Sequence, residues 1–405
     1  MFVVAGSSFL RLVRKPGVLT ALSFGLSGLA FIVANLLLAR ILSVEQYALM
    51  ALLMSIQYMT ARAAPLGADG LVIRHTAVAN RELLRRVAST SAGIGVAAAV
   101  FTTQVYTVDW VLSVLLLVCI TAGGITFVAA AQFQADQAFG RSLVFFRSQD
   151  YAFLIAALVG VVLRPDSALI TFAVLTTAMG ATAIVAWRSA TWATRERAQH
   201  DTYRWREAIA FLAVQMSGEL LMQLDRLLTA KTLGLDDLAT LGVVLSIIGP
   251  PFRLLQLTTG YAMQSRLRAA KSHSERIHVL AREGMISGAI VLVSCATLWP
   301  LSPLLVSYLL PGKYTITSDV MLAVLVGAVV KVASGFSKAC VTALTTNREL
   351  AYIAVVSWLG VAISVAAGVF GSKFGLAGVI YGVTAGWAVS VLASAYFVSR
   401  RLRRP

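Results

Sequence analysis

The chain has 405 residues, 58% of them hydrophobic and 13% charged, with a mean hydropathy of +0.81; soluble domains carry about 25% charged side chains, so these values exclude one. Its formal net charge of +16 is spread in short basic clusters between apolar runs, so no nucleic-acid partner is expected and the clusters report membrane orientation instead. Apolar runs of about 20 residues recur along the whole length, each long enough to span a hydrocarbon core of about 30 Å, and no stretch remains for a soluble domain.

Residues 1–17 read as a basic leader carrying Arg11, Arg14 and Lys15. The apolar run behind it is too long for a signal peptide and lacks a small-residue cleavage site, so the leader is expected to stay attached in the cytoplasm. Hydropathy predicts helices at about 18–42, 45–66, 86–107, 109–131, 143–163 and 167–188. A basic linker at 189–205 follows. The second set is predicted at about 206–230, 238–262, 284–309, 318–344, 350–371 and 375–398, ahead of a basic tail at 399–405. The fold class is therefore an all-α polytopic membrane protein of twelve transmembrane helices in two six-helix lobes, 18–188 and 206–398.

Assigning alternate loops to opposite sides tests that count, because cytoplasmic loops are enriched in Lys and Arg. One side collects the leader cations, then Arg74, Arg81, Arg85, Arg86, Arg141, Arg188, Arg195, Arg197, Arg204, Arg206, Arg266, Arg268, Lys271, Arg276, Arg282, Arg348 and the tail arginines. The other holds Arg40, Arg164, Lys231, Lys313 and Lys373, one per loop. An even helix number with both termini in the cytoplasm is the arrangement that sorts the charges in this way.

An internal repeat appears at a shift of 191: Leu36–Ile56 (LLLARILSVEQYALMALLMSI) lies over Leu227–Ile247 (LLTAKTLGLDDLATLGVVLSI), with Arg40 on Lys231 and Glu45 on Asp236. Six helices separate the copies. An even separation relates the lobes by a parallel pseudo-two-fold axis along the membrane normal, across a cavity.

Ionisable groups within a span cost about 2.5–3.5 kcal/mol on insertion scales and usually face a bundle interior or a wet cavity. In the seventh helix Gln215, Glu219, Gln223 and Arg226 recur at helical spacing on one face, with Asp225 at its flank. The tenth helix carries Lys331, Ser334, Lys338 and Thr342 in a similar line. Two lysines on one face require an anion. The repeat places Arg62 over Arg253, Arg147 and Asp150 are spaced to pair, and Gly249, Pro250 and Pro251 predict a kink or unwound turn before Arg253. Asn35 and Gln57 are expected to make interhelical hydrogen bonds. For the charged residues, the structural alternative is snorkelling of Arg62, Arg147 and Lys338, or an ion pair among Glu219, Asp225, Arg226 and Lys331.

Cys119, Cys295 and Cys340 fall inside apolar spans with no paired spacing, and so read as packing residues. The chain lacks GxxxxGK[ST], HExxH and GxSxG motifs, and His75, His200, His273 and His278 all fall in predicted cytoplasmic loops. No enzyme activity, metal or cofactor is expected, which leaves a secondary transporter or flippase.

The run LARILSVEQYALMALLMSI, the following PLGADGLVIR, and LMQLDRLLTAKTLGLDDLATLGVVLSI resemble the bacterial polysaccharide exporters, the lipid-linked repeat-unit flippases of the multidrug/oligosaccharidyl-lipid/polysaccharide superfamily. The resemblance implies a two-lobed bundle in the bacterial inner membrane that moves an undecaprenyl-diphosphate-linked oligosaccharide between leaflets, beside polysaccharide polymerase and glycosyltransferase partners and membrane lipids. The chain departs from it at Ala48 and Ala239, where glycine is common, and in lacking the two further C-terminal helices of lipid II flippases. A diphosphate headgroup needs cations in an enclosed wet site, and Arg62, Arg253, Lys331, Lys338 and Arg226 are the candidates to bind it. Glu219 and Asp225 are the candidates to couple transport to H+ or Na+. Two rivals stand beside this reading: a multidrug exporter of the same superfamily, and a non-transporting scaffold of a polysaccharide assembly complex.

Overall fold

The computed structural model describes residues 16–74, 77–164, 167–195, 204–270, 272–344 and 347–402. Arg11, Arg14, Lys15, His75, Arg197, His200, Lys271, Arg403 and Arg404 lie outside these residues, as do most of the leader and part of the basic linker.

Among the described residues there is no strand, and twelve helices have 20 residues or more. The first six are α1 (Pro16–Ile41), α2 (Val44–Ala63), α4 (Arg81–Tyr106), α5 (Trp110–Ala135), α6 (Phe139–Leu163) and α7 (Ala168–Ala193), with a short α3 (Ala68–Ile73) inserted after α2. The second six are α8 (Trp205–Thr232), α9 (Leu235–Ala269), α10 (His273–Leu309), α11 (Ser318–Leu344), α12 (Asn347–Gly371) and α13 (Gly375–Leu402). Nine runs among the described residues are long and apolar enough to cross a membrane, the last of which, Tyr352–Leu402, takes in most of α12 and all of α13. The two long helices outside those runs are α2 and α8, whose apolar character is broken by Gln57 and Arg62 in one and by Glu219, Asp225 and Arg226 in the other.

Helix starts follow side-chain caps. Asn80 accepts from the Leu83 amide, Asp109 from Val111 and Ser167 from Leu169. Ser272 and Glu275 form a reciprocal capping box that starts α10 well before the hydropathy boundary at 284. His273 and His278 therefore belong to the first turns of α10, not to a loop. At 37 residues, α10 is about 55 Å long, more than a hydrocarbon core needs. Of the kink or unwound turn expected at Gly249–Pro251, the unwound turn does not form: α9 continues through both prolines to Ala269. The two lost amide donors leave carbonyls one turn back without helical partners, yet the helix persists on either side.

The chain divides into two compact units. One holds the residues through Leu42 together with Leu53–Met216, and the other holds Ser43–Leu52 together with Ser217 onward. The divisions fall inside α2 and α8, whereas the lobes expected from hydropathy were split between helices. In the first unit α1 packs on α6, α4 on α5, and α5 and α6 on α7. In the second, α9 and α13 pack on α11 and α12 on α13. Small residues set the closest approach there: a Cβ on Gly386 would lie 2.1 Å from the Gly360 carbonyl oxygen.

The repeat is visible in the helix boundaries. Leu235 lies 191 residues after Val44, the shift found in the sequence, and Asn347 lies 208 after Phe139, the difference being absorbed by the longer α10 and the loop behind it. Leu22, Leu26, Leu29 and Val33 form an exposed apolar stripe along α1, and Met285, Leu292 and Val293 are exposed on α10. Such faces suit acyl chains.

Gly67, at φ 78°, joins α2 to α3, and a Cβ there would sit 2.1 Å from the Ala208 carbonyl oxygen of α8. A Gly67→Ala variant must strain the left-handed backbone, at about 1–3 kcal/mol, and also push α8 away. Its thermal unfolding temperature in detergent is expected to fall clearly below that of the wild type, whereas Gly25→Ala, with open space around it, should change little.

Candidate functional site

In the first unit the polar groups of α2 and α6 interlock. The Tyr58 hydroxyl donates to Asp150 Oδ1 at 2.7 Å, Arg147 Nη1 lies 3.5 Å from Asp150 Oδ2, and Gln149 donates to Gln57. The interhelical bond expected of Gln57 is thus made, while Asn35 donates to the Phe31 carbonyl of its own helix at 2.9 Å. Arg147 and Asp150 are both buried.

Aromatic faces hold the two arginines. Arg62 Cζ lies 4.2 Å from the Phe127 ring centre and 4.3 Å from that of Phe146. Arg147 Cζ lies 3.7 Å from Phe24 and 5.3 Å from the same Phe146. A cation over a ring gains about 0.5–2 kcal/mol, most when desolvated. The rings fix where the Arg62 charge sits.

One acid at this site escaped the sequence reading. Asp69, in α3, is 9% exposed and accepts from Gln215 Nε2 of α8 at 3.5 Å. Its Oδ1 and the Gln215 Oε1 are buried without a hydrogen-bond partner. Burial pushes the Asp69 carboxyl above the usual carboxylate range, while the Arg62 charge and hydrogen bonds from the Gly70 amide and Gln215 pull it back. The available signal was an acid between two glycines in an otherwise apolar stretch, Gly67-Ala-Asp69-Gly70-Leu-Val-Ile.

In the second unit the candidate acids and bases of α8 and α11 meet. Lys331 Nζ donates to Asp225 Oδ2 at 3.0 Å, and Asp225 is 2% exposed. Glu219 acts electrostatically on Lys338, whose ammonium sits 5.3 Å from the Trp387 ring centre and 3.7 Å from where a Cβ on Gly218 would stand. Asp225 with Lys331, and Glu219 with the Lys338 charge it acts on, run in opposite order along the two helices, as an antiparallel arrangement requires. Asp225, assigned to the flank of the polar stripe, is thus one of its most buried members. Ser334, between the lysines, is buried, and its hydroxyl has no hydrogen-bond partner; nor has the buried amide oxygen of Gln223. The Thr342 side chain lies outside the described residues.

Arg226 is half-buried and acts on the hydroxyl of Tyr47, which also bonds Ser246. Arg253 is exposed. It stands 18 residues into α9, as Arg62 stands 18 residues into α2. The register repeats, but the ring clamp belongs to Arg62. All three cysteines are free. Among the described residues no group of three or more His, Cys, Asp or Glu is placed to hold a metal ion.

The chain's fold is that of solved membrane transporters. The lipid II flippase MurJ in an inward closed conformation superposes with a TM-score of 0.67 at 13% identity, covering 94% of this chain and 87% of that one. An outward-facing MATE-family multidrug resistance transporter of the MOP superfamily gives 0.61 at 14% identity over 97% of each chain. A MATE structure in the straight conformation gives 0.57 at 14% identity over 96% of each. No protein-family model and no curated protein sequence matches the chain. The protein is a multi-pass, two-lobed helical membrane protein with a transporter fold.

Removing one member of a buried ion pair costs about 3–5 kcal/mol, because the other charge is stranded. Asp225→Ala and Lys331→Ala are each expected to lower the thermal unfolding temperature, and Asp225→Leu with Lys331→Met should recover most of the loss. Losses that simply add in the double variant would remove the pair from the account.

Proposed function

We propose that the protein is a flippase that carries an undecaprenyl-diphosphate-linked oligosaccharide across the bacterial inner membrane by alternating access, with both termini in the cytoplasm. The observation that carries this reading is a set of cations inside otherwise apolar helical units, held in place by rings and acids. Arg62 stands between two phenyl faces in one unit, and Lys331, Lys338 and Arg226 lie on neighbouring helices of the other. Guanidinium and ammonium groups bind phosphate oxygens through charge-assisted hydrogen bonds, which strengthen out of water. A flippase of the same fold, MurJ, supports the direction of the reading.

Of the ion pairing expected as the structural alternative among Glu219, Asp225, Arg226 and Lys331, the contact between Asp225 and Lys331 is made. Lys331 donates to Asp225, Glu219 acts on the Lys338 charge and Arg62 on Asp69, so an incoming headgroup shares each of these cations with an acid. Binding is then an exchange of one anion for another, which keeps affinity moderate and lets the headgroup leave. In the second unit, Arg226 and the exposed Arg253 of α9 stand with Lys331 and Lys338 as candidate cations. The polymer-building partners of such a flippase are a polysaccharide polymerase and glycosyltransferases.

The test is headgroup accessibility of a labelled undecaprenyl-diphosphate oligosaccharide in vesicles containing the purified protein. Wild-type protein is expected to equilibrate the label between leaflets. Arg62→Ala and Lys331→Ala should slow this severalfold or more at equal protein level. Export of a cationic dye with no movement of the lipid would assign the chain to multidrug export instead, and movement of neither would leave the scaffold reading.

A further inference from the structure

The junction of α2, α3 and α8 holds a group that this function has not used. Asp69 is nine-tenths buried, the Gln215 amide nitrogen stands 3.5 Å from its Oδ2, and its Oδ1 and the Gln215 Oε1 are each buried without a hydrogen-bond partner. A protonated Asp69 could donate its new O–H to Gln215 Oε1 after a flip of the amide, whose nitrogen now stands 3.5 Å from the carboxyl.

The surroundings make Arg62 the controlling charge. From α2 comes Arg62; the charged side chains of α4, Arg81, Glu82, Arg85 and Arg86, are exposed, as is Arg188 of α7. Glu207 of α8 pairs with Arg204, and Asp136 at the end of α5 is held by the Gln132 amide at 3.1 Å. Arg74 closes α3 itself. Of these, Arg62 is the charged side chain whose field acts on the Asp69 carboxyl. Arg62 is also a candidate ligand of the diphosphate, so Asp69 and the headgroup share one cation.

We propose that Asp69 is the proton-binding site coupled to headgroup binding: when the diphosphate engages Arg62, the Asp69 carboxylate loses its counter-charge in a buried site and takes up one proton from water. The balance is one new O–H bond at Asp69 and one proton removed from the bulk, with no other bond changed. Release of the headgroup restores the Arg62 charge to the Asp69 carboxylate and expels the proton. This inference rests on the flippase reading and replaces Glu219 and Asp225 as the coupling acids, since Asp225 is engaged by Lys331 and Glu219 acts on Lys338. The helix that carries Gln215 also carries Glu219 and Asp225, so the state of Asp69 bears on the first half of α8, Trp205–Met216, while the second half belongs to the other unit.

The sign follows from linkage. Proton uptake on binding means that affinity for the headgroup rises as pH falls, by up to about tenfold per pH unit where one proton is taken up. The experiment is calorimetric titration of the full-length protein in lipid nanodiscs with undecaprenyl diphosphate, in buffers of differing ionisation enthalpy. The wild type is expected to take up about one proton more per ligand than Asp69→Asn. The diphosphate's own protonation is common to both and drops out of the difference. Equal proton counts, or an affinity that depends on Na+ and not on pH, would overturn the assignment while leaving the flippase reading in place. A wild type that does not bind undecaprenyl diphosphate at all would remove the flippase reading itself. If Asp69→Asn does not fold, infrared difference spectra of the wild type decide the matter. Ligand addition should produce a protonated carboxyl band that persists in Glu219→Gln and Asp225→Asn, and no such band would overturn the proposal.

Discussion

A charge taken out of water must meet a partner close by, and that rule organises this protein. The buried ionisable groups of the candidate site have each been given an acid, a base or an aromatic face. Asp225 meets Lys331, Asp150 meets Arg147 and Tyr58, and Arg62 and Arg147 lie against phenyl rings. Two of the helices that carry these groups, α2 and α8, are also those too polar to register as ordinary membrane-crossing runs. They are tolerated because their polar atoms face protein rather than acyl chains.

The same rule separates fixed charge from exchangeable charge. Phenyl faces position Arg62 and its field reaches the Asp69 carboxyl, so an incoming anion would draw on the same charge. Lys331 is matched by a carboxylate at hydrogen-bond distance, and an anion that reaches it shares its charge with that carboxylate. In the proposed flippase reading, competition between an internal acid and a ligand for one cation lets a site bind and then let go.

The two halves have kept their helix register while diverging in chemistry. α2 and α9 begin 191 residues apart and place an arginine at the same position, yet α9 runs through two prolines and its Arg253 is exposed. α10 has lengthened beyond its counterpart α4, starting from a capping box that hydropathy does not register. The Ser272-x-x-Glu275 pattern was legible in the sequence, but an averaged apolar signal placed the boundary at the first apolar residues and overlooked the polar turns before them.

Composition and periodicity by themselves determined that the chain is an all-helical membrane protein built from two related sets of helices, because hydrocarbon forbids unpaired backbone and each span must be long and apolar. They also singled out Arg62, Glu219, Asp225, Lys331 and Lys338, because a charge in an apolar run is visible without any structure. What they could not decide is who faces whom. The pairing of Asp225 with Lys331 across 106 residues, the clamp on Arg62 from α5 and α6, and the burial of Asp69 under α8 are contacts between distant segments. One-dimensional spacing fixes the face of a single helix, whereas the partner of that face depends on how the helices pack, and only the tertiary structure decides that.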